Sequence, residues 1–159
     1  METNLTLPIL CSYLPWKVNV LNTTNDRRYV LSFDNIEPVW LRANDGEAYN
    51  KLLLRPMSDL TKEIEHNGEW FVPMKMLVDS KKTDWDEMEV IEFNPFPRRG
   101  PGPIWYKVVH SQFDEVLSIN PSNCLVLPFY MNQKLLEWKF DIYGGIGTWA
   151  LNLNEYNGK

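Results

Sequence analysis

Between two apolar stretches the chain reads Asn94-Pro95-Phe96-Pro97-Arg98-Arg99-Gly100-Pro101-Gly102-Pro103. Four prolines in ten residues cannot sit in a hydrogen-bonded ladder, because each fixes φ and lacks an amide proton. The segment must therefore be a stiff connection. The residues on either side, Met88 to Phe93 and Ile104 to Val109, read as strands.

The same punctuation divides the rest of the chain into short elements. Trp16, Val18 and Val20 alternate with Lys17 and Asn19, which is strand spacing with one wet face. Tyr29, Leu31 and Phe33 alternate likewise, and the polar cluster Asn22 to Asp26 between the two runs predicts a hairpin. Ile36 to Leu41 reads as a further strand, confined to an edge or bulge by Pro38. Leu52-Leu53-Leu54 is a short buried strand ended by Pro56. Ser58 is placed to cap a short helix that carries Leu60 and Ile64 on one face and closes at Asn67-Gly68. Pro73 starts a second short helix, with Met74, Leu77 and Val78 inward. A third helix runs from an Asn132 cap to Gly144, with Met131, Leu135, Trp138 and Ile142 at helical spacing. Strand alternation resumes at Trp149, Leu151 and Leu153. These elements predict a single α+β domain over residues 1–159. Its sheet is small and mostly antiparallel, with two or three helices, the C-terminal one packed on one face.

Composition excludes several function classes. Hydrophobic residues make up 44% and aromatics 13%, too many for a disordered chain. A formal net charge of −5 argues against general nucleic-acid binding, which needs a surplus of Lys and Arg at the phosphates. No stretch approaches the roughly 20 apolar residues of a membrane span. The N-terminal run Leu5 to Leu14 has no basic region before it and no small-residue cleavage site after it, so it does not read as a secretory signal. Cys11 and Cys124, the two cysteines, lie far apart in sequence and make a poor disulfide framework, so a reducing cytosol suits them better.

Two segments carry a resemblance. Residues 52–74 read LLLRPMSDLTKEIEHNGEWFVPM, and residues 134–146 read KLLEWKFDIYGGI. Together they cover about 36 of the 159 residues and resemble a family of small uncharacterised proteins from phages and prophages of Bacteroidetes. Members are similar in a leucine-arginine-proline step before a short capped helix, and in a late leucine-glutamate-tryptophan helix with a glycine-ended turn. The resemblance implies a phage origin and the host cell cytoplasm as location. It carries over no catalytic or binding residue. The chain departs from the family over residues 81–126, where the acidic run Asp84, Asp86, Glu87, Glu89 and Glu92 and the Pro/Gly/Arg loop look like additions of its own.

Each constellation with chemical potential has a plainer structural reading beside it. His66, placed beside a predicted helix C-terminus, suits an imidazolium there as well as a catalytic role. His110 and Cys124 have the chemistry of a base and nucleophile, or of a strand-end histidine and a buried thiol. The acidic run offers oxygens to a hard cation, yet it lacks the spacing and glycine of an EF-hand, and a solvated face is the better reading. Gly144-Gly145-Ile146-Gly147 follows a helix, so the dipole there is negative and a cap fits better than a phosphate cradle. Arg55 suits an ion pair with Asp59 or Glu63.

The remaining constellation is Phe96, Arg98, Arg99, Gly100, Gly102, Trp105 and Tyr106. Arginine forks fit phosphate or carboxylate, aromatic faces stack on bases, and prolines lower the ordering cost of binding. An ordinary hairpin loop with solvated arginines would carry the same residues. The expectation is a non-catalytic, cofactor-free phage accessory protein that acts against host defence by sequestering a nucleotide-type immune signal. The alternatives are an inhibitor that binds a host defence nuclease or CRISPR effector, and a metal-assisted hydrolase of such a signal built on the acidic run and His110. The double substitution Arg98→Ala with Arg99→Ala should leave the melting temperature unchanged and weaken ligand retention. Retention equal to the parent's would remove the loop from the site.

Overall fold

The fold is given by a computed structural model that describes residues 4–43, 50–78, 85–96, 104–112 and 115–156. Among them are five short α-helices and nine strands in three sheets, a mixed α+β architecture in which β-strand pairing is mostly antiparallel. No helix among the described residues is long and apolar enough to cross a membrane. The chain divides into two compact units, Met1–Pro56 with Gln133–Lys159, and Met57–Asn132.

The first unit is built on β3 (Asn50–Leu54). Leu52, Leu53 and Leu54 expose none of their surface. Side chains alternate along a strand, so this run is covered on both faces. The strand is therefore central: β1 (Asn19–Asn22) pairs with it antiparallel on one side, and β9 (Ala150–Asn152) pairs parallel on the other. β2 (Arg27–Val30) completes the order β2-β1-β3-β9, joined to β1 by the predicted hairpin over the polar residues 23–26. Leu21, Leu53 and Leu153 form a core cluster on one face, with Leu151 and Tyr156 against it.

Helices close this unit. α1 (Leu7–Tyr13) begins at Thr6, whose hydroxyl accepts from the Ile9 amide, and buries Leu10 and Tyr13. The Tyr13 hydroxyl donates to the Phe140 carbonyl at 3.0 Å, and its ring meets Tyr143 edge-on. α2 (Ile36–Ala43) replaces the strand expected over Ile36 to Leu41. Pro38 falls in the first turn, where an amide has no intrahelical acceptor to lose, so the residue that argued for a sheet edge is harmless in a helix start.

The strand that ends at Leu54 meets the returning C-terminal part of the chain here. The Arg55 amide donates to the Lys139 carbonyl at 2.8 Å, and the Arg55 carbonyl accepts from the Asp141 amide at 3.0 Å. α4 (Phe129–Glu137) starts before Asn132 and ends at Glu137, with Lys139 in the left-handed region at φ 66. The expected cap and the expected stop at Gly144 are thus both displaced. Asn132 lies inside the helix and donates to the Leu127 carbonyl. The glycine turn has another task. The buried Asp141 carboxylate accepts from the Gly145 and Ile146 amides at 2.7 and 2.8 Å. Burial pushes the Asp141 carboxyl up, and these amides draw it back down. The chain ends its described part in α5 (Leu153–Tyr156).

In the second unit the predicted helix at Ser58 is a 3-10 turn, Met57–Thr61, and Ile64 belongs to β4 (Ile64–His66). Asn67-Gly68 does not end a helix but turns a hairpin into β5 (Glu69–Phe71), with φ of 55 and 83. Two consecutive left-handed residues match the right-handed twist of a hairpin, and Asn-Gly is the pair that adopts them most cheaply. α3 (Pro73–Val78) starts at its proline as expected and buries Met74 and Leu77. The third sheet, in the order β6 (Met88–Phe93), β7 (Trp105–His110) and β8 (Glu115–Ile119), is antiparallel throughout.

A Cβ at Gly145 would lie 2.2 Å from the Trp149 ring, whereas one at Gly144 would meet open space at φ 71. Gly145→Ala should therefore cost stability at the top of the roughly 1–3 kcal/mol range of overpacking. Gly144→Ala should cost only the left-handed backbone penalty of about 1–2 kcal/mol. Urea unfolding of both variants checks the order; equal losses would contradict the tight Gly145–Trp149 contact.

Candidate functional site

The proline-rich segment lies between β6 and β7 in sequence, residues 97–103 of it outside the described residues, and the described geometry beside it belongs to those two strands. Their register runs from Met88↔His110 to Phe93↔Trp105. Alternation therefore puts Ile91, Phe93, Trp105 and Lys107 on one face and Val90, Tyr106, Val108 and His110 on the other. Tyr106, Val108 and His110 are buried, while Trp105, Lys107 and Val109 are only half-buried. One side of the sheet is thus core, and the other is partly open to solvent.

On the open side three side chains are organised against each other. Phe93 and Trp105 meet edge to face, with centroids 6.3 Å apart at 65°. The Lys107 ammonium stands 5.0 Å from the Phe93 ring centre, within cation–π range. Trp105 Nε1 is shielded and meets no acceptor among the described residues. Phe96, just past the end of β6, is 48% exposed, and its amide donates to the Asn94 side chain at 2.8 Å. Two aromatic rings, a cation and an indole donor without a described acceptor therefore lie on or beside one surface.

Of the residues expected to bind ligand, Phe96 and Trp105 lie at this end of the sheet. Arg98, Arg99, Gly100 and Gly102 lie outside the described residues. Tyr106 is corrected: it follows Trp105 directly, so it points to the opposite face and is 6% exposed. Burial pushes its hydroxyl up, and the Glu92 and Asp59 carboxylates add to this against Lys62. Phe93 and Lys107 were not anticipated. The signal was present in the two-residue period of β6 and β7, which unites them with Trp105 once the strands are paired in register.

The other constellations resolve differently. Asp86, Glu87, Glu89 and His110 line an open cleft of about 430 Å³. His110 Nδ1 accepts from the Gln112 amide at 3.1 Å, which leaves the proton on Nε2, 3.4 Å from the Glu87 carboxylate. With Nδ1 accepting from the Gln112 amide, the single in-plane lone pair of the neutral ring is already engaged. Among the described residues no three His, Cys, Asp or Glu side chains are grouped to hold a metal; Asp84 lies outside them. His66 sits in a strand opposite Glu69, away from the helix C-terminus expected for it. Asp141 already fills the amide nest at Gly145 and Ile146, so that turn has no vacancy for phosphate.

No protein-family model, curated protein or solved structure matches the chain.

Burial pushes the Cys124 thiol up to about 12, and its Sγ lies 3.6 Å from the Asn120 carbonyl. The thiolate is the reactive form, so Cys124 is suppressed as a nucleophile. In the native protein at pH 8 a thiol reagent should label exposed Cys11 and leave Cys124 unmodified, with both labelled after unfolding. Native labelling of Cys124, read by peptide mass, would contradict this.

Proposed function

We propose that this chain is a non-catalytic binding protein that holds a planar, anionic ligand of nucleotide type against the open face of β6 and β7. The supporting observation is the Lys107 ammonium held over Phe93 beside Trp105. A base needs an aromatic plane, and each such stack contributes about 1–3 kcal/mol. A phosphate needs a cation, and a hydrogen bond to a charged group contributes about 1.5–3 kcal/mol. Lys107 can turn from the ring to a phosphate without crossing the sheet, since both lie on its own face. The phage resemblance supplies the context: such a binder would act as a sponge for an immune signal of the host, released from the need for catalytic groups.

A thermal-shift screen against a panel of mono-, di- and cyclic nucleotides tests the reading, because a ligand that binds only the native state must stabilise it. At least one nucleotide should raise the melting temperature, and the ligand should be recovered intact after the protein is denatured. Lys107→Ala should abolish the shift for phosphorylated ligands, and Trp105→Ala should weaken binding by about 1–3 kcal/mol. Recovery of a chemically altered ligand would make the protein a hydrolase. A melting temperature unmoved by the whole panel would favour a protein partner.

A further inference from the structure

The open face of the third sheet carries charge beyond its aromatic corner. The pairing of β6 with β7 sets Glu89 opposite Val109, one step past Lys107 on the same face. From the other side β8 adds Glu115, also opposite Val109. Both glutamates are exposed, and among the described residues neither is held in an ion pair.

Glu115 reaches this face through an irregularity in the ladder. β7 and β8 pair as Tyr106↔Ile119, Lys107↔Ser118 and Val108↔Leu117, and the register then shifts so that Val109 meets Glu115. Unbroken pairing would set Val116 opposite Val109, and Glu115 opposite buried His110 on the core side. The extra residue, Val116, brings the carboxylate back to the open face. Bulges re-aim side chains in this way, and they are over-represented beside functional sites.

Charge on the face is therefore graded along the strands. Lys107 is the one cation that the described residues of β6, β7 and β8 place on it, and its ammonium stands at the Phe93 end. About 7 Å further along β7, at Val109, carboxylates flank the strand from both neighbours. Glu89 and Val109 also line the cleft that holds Asp86 and Glu87, so the acidic character continues past them.

We infer that Glu89 and Glu115 determine specificity by limiting the ligand of this face to a single phosphate, so that nucleoside monophosphates are held and di- and triphosphates are rejected. The inference rests on the nucleotide reading above and sharpens it. One ammonium compensates one phosphate. Each further phosphate brings negative charge toward two carboxylates that have no described counter-ion, and this penalty falls on the longer ligand alone. A phosphate site rich in cations has the opposite order, because every added phosphate gains attraction there.

Calorimetric titration of the full chain with the mono-, di- and triphosphates of the four common nucleosides tests this, in EDTA so that no metal masks the phosphates. For whichever base binds, the monophosphate should bind most tightly. Each added phosphate should weaken binding roughly three- to tenfold at low ionic strength, and less in high salt. Glu89→Gln with Glu115→Gln changes two exposed positions and should keep the parent's thermal melt while levelling or reversing the order. Each single substitution should give part of that change. A triphosphate that binds the parent as tightly as the monophosphate would overturn the inference and leave the nucleotide reading standing. An order unchanged in the double variant would remove Glu89 and Glu115 from the role. Failure of every nucleotide to bind would remove the nucleotide reading and the inference with it.

Discussion

Complete burial of Leu52, Leu53 and Leu54 is the constraint around which the first unit is arranged. Each fully buried leucine contributes roughly 1.5–3 kcal/mol, but only if both faces of the strand are covered and both edges are paired. β1 and β9 satisfy the edges. Beyond Leu54 the ladder passes to Arg55, which bonds to the backbone on either side of Phe140. The chain thereby returns from α4 alongside the strand it left much earlier. Asp141 then turns it by gathering the Gly145 and Ile146 amides, and β9 re-enters beside β3. A buried carboxylate is costly by itself, and its two short amide bonds offset that cost.

The second unit uses strand alternation for a different end. β7 has one face in the core and one partly open, and adjacent aromatic residues consequently have opposite fates. Tyr106 is sealed away, and Trp105 remains beside Phe93 and Lys107. An aromatic-cationic surface of this kind is suited to holding a flat anion. The acid-lined cleft at Glu87 and His110 is the nearest approach to catalytic hardware. There the imidazole Nδ1 accepts from the Gln112 amide, and Nε2 lies 3.4 Å from the Glu87 carboxylate.

Much of the fold was legible from residue order. The first hairpin, β3, α3 and the two strands flanking the proline-rich connection follow from alternation and from proline chemistry. The misread elements share a cause: residues with two local meanings. Pro38 marks a sheet edge or the first turn of a helix. Asn67-Gly68 ends a helix or turns a hairpin, and only the pairing of Ile64 with Phe71 separates the two. The helical stripe from Met131 to Ile142 continues past the helix itself, because Phe140 and Ile142 are buried by the return of the chain along β3 instead of by a helical face. The candidate site was partly legible for the same reason. Its aromatic content lies in one short window, but membership depends on which face each residue takes.

By itself the sequence determined the class of fold, the place of the proline-rich segment between β6 and β7, and the shortage of positive charge. Those are properties of composition and of near neighbours, where φ restrictions and periodicity act directly. Only tertiary structure decided that Lys107 and Phe93 belong with Trp105, that Tyr106 does not, and that the glycine turn is occupied by Asp141. Each of these depends on contacts between residues distant in the chain or on strand register, and a shift of one residue would reverse every face.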